Sequence, residues 1–179
     1  TLKTIYGNAF EEAQFIGSIT FQNTETSIQS SAFKGAVFHQ TLALPTALET
    51  ITSNTFEKAV FQRSITFPNV LETISASAFE GAQFTDTISL PASLETIRAS
   101  AFKSCIFNSD TILNFGSSLE TIGNTAFQDS NLQSISFDSK AKLESIGEKA
   151  FEGLFQLKVV GDSKTLYSET ISESAFEGD

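Results

Sequence analysis

Phenylalanine preceded by Ala or Thr recurs at Phe10, Phe33, Phe56, Phe79, Phe102, Phe127, Phe151 and Phe176, at steps of 23, 23, 23, 23, 25, 24 and 25 residues. A period of that length leaves few folds open, because so short a unit cannot enclose a core alone and must stack on copies of itself. Five residues before each phenylalanine stands an isoleucine: Ile5, Ile28, Ile51, Ile74, Ile97, Ile122, Ile146 and Ile171. Three residues earlier comes a leucine at Leu2, Leu48, Leu71, Leu94, Leu119 and Leu143, replaced by Glu25 and Ser168 in the two remaining copies. Five residues after the corner lies a second apolar position, Phe15, Phe38, Phe61, Phe84, Phe107 and Leu132, which a one-residue insertion moves to Leu157 in the seventh copy. Eighteen phenylalanines beside no tryptophan and no methionine fit the regular structural use of one side chain.

Between these positions apolar and small polar residues alternate, as in Ile19-Thr20-Phe21, Leu42-Ala43-Leu44, Ile65-Thr66-Phe67 and Ile88-Ser89-Leu90. A period of two predicts a strand. Pro45, Pro68 and Pro91 end three of these strands, since proline donates no ladder hydrogen bond and fixes its own φ. Each repeat then reads as a strand, a turn, a second extended piece LETI and a bend around a segment such as SAFEGA. The expected fold is a repeat solenoid, mainly β, with coils of 23–25 residues, a parallel strand ladder and little or no regular α-helix. One solenoid of about eight coils spans residues 1–179, and at ~4.8 Å per coil it is a rod of roughly 40 Å. Neither end carries an atypical capping segment, so a piece of a longer array is expected.

The segment FTDTISLPASLETIRASAF, Phe84 to Phe102, resembles the repeat of the BspA-like leucine-rich-repeat family, whose coils carry an I-x-L-P strand, an L-x-x-I piece and an A-F corner. The resemblance covers the whole chain. That family usually shows cysteine three residues after the corner phenylalanine. Cys105 holds that place in its own copy, and Ala13, Ala36, Ala59, Ala82, Ser130 and Leu154 hold it elsewhere. The family's longer spacing from the corner to the next apolar position survives only in AFEGLFQL, residues 150–157, which marks a divergent branch. The resemblance implies a secreted or cell-surface module, with host or microbial surface proteins and glycoproteins as partners.

A formal net charge of −10, with 11 Lys and Arg scattered singly, argues against nucleic acid, because no stripe of cations exists to neutralise phosphates. No apolar run reaches the length of a membrane span, so no membrane insertion is expected, and TLKTIYGNAF lacks the plan of a signal peptide. The single cysteine excludes an internal disulfide framework. Catalysis needs converging groups, yet His39 lies about three coils from Cys105, ~14 Å or more at this spacing. Cys105 reads as core filler and His39 as a loop residue. No phosphate loop, HExxH motif or calcium loop occurs. No cofactor and no enzyme is expected.

Two rows run along the LETI segment. Glu49, Glu72, Glu95, Glu120, Glu144 and Glu169 recur at its second position. Stacked carboxylates ~5 Å apart repel by roughly 1 kcal/mol in water, so they splay into solvent or are answered by cations, for which calcium would suit an oxygen-only set. A solvated edge that keeps the rod soluble is the simpler account. Beside it Thr4, Ser27, Thr50, Thr73, Thr96, Thr121, Ser145 and Thr170 form a hydroxyl row, explained by cross-strand pairing alone.

The outward strand positions form a second hydroxyl face: Ser18 and Thr20, Thr41 and Ala43, Ser64 and Thr66, Thr87 and Ser89, Ser134 and Ser136. In leucine-rich repeats this strand lines the concave face, where partners commonly dock, which makes it the candidate ligand-binding surface. Small hydroxyls supply no aromatic or Arg anchors, so several coils must act together. The main alternative is a structural spacer that self-associates end to end. An ice-binding face is disfavoured by Ala43 and the unequal coil lengths, and an intracellular scaffold is a further possibility.

Overall fold

The computed structural model describes residues 3–21, 26–154, 156–160 and 175. Every described strand pairs in parallel with a strand one coil away, and no α-helix occurs among the described residues. This is the expected solenoid, with seven corner phenylalanines from Phe10 to Phe151 in place. Phe176, Ile171, Leu2, Glu25, Ser168, Glu169 and Thr170 lie outside the described residues.

Three ladders wrap the rod where the alternation suggested one strand and one extended piece. The first runs through LETI as Thr4–Ile5 with Ser27–Ile28, then Thr50–Ile51, Thr73–Ile74, Thr96–Ile97, Thr121–Ile122 and Ser145–Ile146. Thr and Ile alternate outward and inward, so every isoleucine of the row is buried. The second joins Gln14–Phe15, Val37–Phe38, Val60–Phe61 and Gln83–Phe84, and Gln83 bridges on to Ile106. The third is the expected strand, but it is interrupted: Leu42–Ala43 pairs with Ile65–Thr66, and a separate sheet holds Ile112–Phe115, Ser134–Phe137 and Lys158–Val160.

Ile19–Phe21 and Ile88–Leu90 therefore depart from the expectation, because neither forms a ladder strand. Ile88 and Leu90 still bury their side chains, so packing alone holds the alternation there. The new sheet begins after two extra residues enter the fifth coil between Phe107 and Leu113, which shifts its strand relative to the coils before it. The first ladder is also split, between Ile28 and Ile51. Here the Thr52 hydroxyl donates to the Ile28 carbonyl at 3.2 Å, where the Ser75 backbone N–H makes the corresponding bond to Ile51 one coil later.

The core is two columns of stacked rings. Corner phenylalanines Phe56, Phe79, Phe102, Phe127 and Phe151 follow one another at 5.2–5.3 Å with planes within 12°. Phe15, Phe38, Phe61 and Phe84 stack beside them at 5.1 Å. The two columns meet at an angle, from 69° between Phe10 and Phe15 to 40° between Phe102 and Phe107. Such pairs contribute roughly 0.5–1.5 kcal/mol beyond the area they bury.

The corner itself is tighter than a simple bend. Two positions per coil take a left-handed backbone, two residues before the corner phenylalanine (Asn8, Ser31, Asn54, Ser77, Ser100, Thr125, Lys149) and two after it (Glu12, Gly35, Lys58, Gly81, Ser104, Asp129, Gly153). This conformation aims the corner N–H groups along the rod. Phe33 N–H donates to Thr55 O, Phe56 to Ala78, Phe79 to Ala101 and Phe102 to Ala126, at 2.7–2.9 Å, always toward the following coil. On the first ladder the amides on either side of the isoleucines point back, as in Thr73 N–H to Glu49 O and Ser75 N–H to Ile51 O.

Candidate functional site

The hydroxyl strip is carried by the third ladder and the turns that flank it. Ser18, Thr20, Thr41, Ala43, Thr66, Thr87 and Ser89 are exposed, and Ser64, Ser134 and Ser136 are half-buried. Pairing places Ala43 beside Thr66, so strip residues of successive coils align. Several hydroxyls are already engaged: Ser64 donates to Asp86 Oδ2 at 3.0 Å, Thr66 to Leu42 O at 3.5 Å, and Ser136 to the Asn114 side chain. The register also sets Ile112 and Asn114 beside Ser134 and Ser136. The fifth-coil insertion hid them from the sequence reading, although the alternation Ile112, Leu113, Asn114, Phe115 with its buried second and fourth residues is a signal that could have found them.

The glutamates of LETI stack as expected along the backbone, Glu95 N–H donating to Glu72 O and Glu120 N–H to Glu95 O, each at 2.9 Å. Glu49, Glu72, Glu95 and Glu144 are exposed and Glu120 is half-buried. Among the described residues no three His, Cys, Asp or Glu side chains gather into a group able to hold a metal ion. The neighbouring hydroxyl row is in register from Thr50 through Thr73, Thr96 and Thr121 to Ser145.

Cys105 sits fully inside the rod and its thiol donates to the Phe79 carbonyl at 2.8 Å. Burial pushes the thiol far above its ordinary range, against a smaller opposing effect of a backbone hydrogen bond at Ala82. A group so placed is protonated and inaccessible, as core filler should be. His39 is half-buried on the outer side of the second ladder, its Nε2 3.2 Å from Gln14 Oε1. The column of Cys105 continues to Ser130, whose hydroxyl is buried with no hydrogen-bond partner among the described residues.

Charge gathers at the corner. Glu57 accepts from Lys34 at 2.9 Å and from Asn54 at 3.1 Å, with Lys58 3.8 Å away. Burial raises the Glu57 carboxyl, but the hydrogen bonds from Lys34 and Asn54 and the two lysine charges outweigh it and leave it below the ordinary value. Glu152 repeats the arrangement, lowered chiefly by Lys149 at 3.0 Å and also bonded by Gln128. Two open clefts, about 350 Å³ around Ser27–Thr52 and about 270 Å³ around Ser130–Gln156, have no titratable residue among the described residues of their walls. Among the described residues no helix is long and apolar enough to cross a membrane.

The family model of the BspA type leucine rich repeat region matches residues 1–109 and 85–179, with six copies. Neither the curated proteins nor the solved structures contain a match to the chain. The corner phenylalanines, the buried isoleucine row and the coil-on-coil ladders are that repeat in three dimensions, and the chain belongs to the BspA-type leucine-rich-repeat family.

Proposed function

We propose that this chain is a non-catalytic recognition module of a secreted or cell-surface protein, and that it binds protein or glycoprotein partners through the hydroxyl strip. The observation that carries the reading is the alignment of exposed Thr41, Ala43 and Thr66 with half-buried Ser64 on paired coils, above a core that fixes their spacing. Membership of a leucine-rich-repeat family supports it, since repeat solenoids offer extended surfaces to macromolecules. Each coil adds a weak polar contact, so affinity grows with the number of coils engaged.

The test is binding of the purified chain to a panel of matrix glycoproteins and microbial surfaces, run beside Thr66→Lys. Thr66 is exposed, so the variant keeps its melting transition, and saturable binding that the lysine abolishes is the expected result. No binding, with end-to-end oligomers that grow with concentration, overturns this reading in favour of a structural array.

A further inference from the structure

A wide part of the coil surface carries almost no charge. Segments 13–21, 36–48, 59–71, 82–94, 105–119 and 130–137 hold the second- and third-ladder positions of the first six coils, whether or not a strand forms there, and their only charged residues are Arg63, Asp86 and Asp110. Yet the chain holds 11 Lys and Arg and 21 Asp and Glu. The remaining charges of these coils lie on the corner, on the first ladder and in the turns between. On the second ladder the outward side chains are amides and aliphatics, with His39 and Thr85 among them. Gln62, Gln83 and Gln133 are exposed, and their side-chain amides have no hydrogen-bond partner among the described residues, while Ile16 and Ile106 are 77% and 51% exposed. Val60 stands in register with Gln83.

We propose that the outer face of the second ladder is a docking surface for an uncharged polysaccharide lying along the solenoid axis. Electrostatics selects this partner class. A chain of net charge −10 repels polyanions, and a polycation is drawn to the glutamate row of the first ladder instead. A face without fixed charges loses little when water is stripped from it. Each glutamine amide offers a donor and an acceptor together, the complement of sugar hydroxyls, and the exposed aliphatics can cover the C–H faces of sugar rings. The ladder steps ~4.8 Å per coil, on the order of the advance per residue of an extended glycan, so successive sugars meet successive coils. Many weak contacts sum. This surface uses a different row of residues from the hydroxyl strip and goes beyond the protein-binding reading.

The experiment is co-sedimentation of the intact chain with insoluble neutral β-linked glucan and mannan, with immobilised heparin and chitosan as charged comparators. It is run at ~0.15 M and at ~1 M salt, where the screening length falls from ~8 to ~3 Å. Capture by a neutral glycan, unchanged by salt and reduced by more than an order of magnitude when Gln62→Glu and Gln83→Glu are combined, is expected. Both side chains are exposed, so an unchanged melting curve shows that the double variant folds. Failure to sediment with either neutral glycan, capture only by the charged comparators, or full binding by the double variant overturns the proposal. Thr66→Lys separates the two surfaces: it leaves glycan capture intact. If that lysine abolishes capture while the glutamates do not, the second-ladder assignment falls and the hydroxyl strip stands; loss of protein binding alone bears on the strip only.

Discussion

At the scale of single residues the corner sets the terms. Gly81 has φ +68° and stands where other coils place Lys58 and Ser104, which adopt the same left-handed backbone at the cost of a side chain. A β-branched residue there is strained by about 1–2 kcal/mol, so Gly81→Val lowers stability by that amount. Ser104→Gly raises it by roughly half a kcal/mol once the lost flexibility of the unfolded chain is counted. Denaturant titration of both variants measures the pair of signs. The ion pair beside them gives a pH signature. Glu57 is held below its ordinary 4.5, so its contribution is present above that value and is lost as pH falls through the lowered one. Lys34 is raised above its ordinary 10.5 by the Glu57 hydrogen bond and charge, so its share is present below that value and lost as pH rises through the raised one. The stability difference between the native chain and Glu57→Gln is therefore flat from about pH 5 to 10 and closes at acid pH; a difference that persists below the titration of Glu57 contradicts this assignment.

At the scale of one coil the alternation of side chains was legible because each inward residue has a partner in the next copy, and Ile5, Ile28 and Ile51 are buried for that reason. The corner phenylalanines were legible for the same reason. The second ladder was not, since the residue beside its inward phenylalanine changes from coil to coil, Gln14, Val37, Val60 and Gln83, and shows no constant alternation. The left-handed pairs were hidden because Ser77, Lys58 and Asp129 have no side-chain feature that announces a positive φ. Of the candidate strip, the exposed hydroxyls were readable from alternation, whereas the placement of Asn114 beside Ser136 depended on an insertion that only the register reveals. Glycine marks another hidden constraint. A Cβ on Gly123 would lie 2.7 Å from the Arg98 carbonyl carbon of the coil before, so Gly123→Ala costs about 1–3 kcal/mol by forcing two coils apart. A melting point equal to that of the native chain would show that the backbone yields there instead.

Across the whole molecule stability resides in the interfaces between coils. Phe79 is wholly buried and stacks on Phe56 and Phe102, each at 5.2 Å. Phe79→Ala removes both contacts and leaves a void, for a loss of ~3–5 kcal/mol. Because the array is nearly one-dimensional, hydrogen exchange should show protection falling most in the coils next to residue 79 and less at Phe127. Uniform loss along the rod would mean that the coils unfold as one body. The opposed senses of the corner and first-ladder hydrogen bonds have a consequence on this scale. An α-helix lines its peptide dipoles up and ends in partial charges of opposite sign, whereas here the corner amides point toward the following coil and the amides on either side of the first-ladder isoleucines point back. Axial dipoles of opposite sense therefore share every turn, and the charge left at either end of the rod is smaller than full alignment would give.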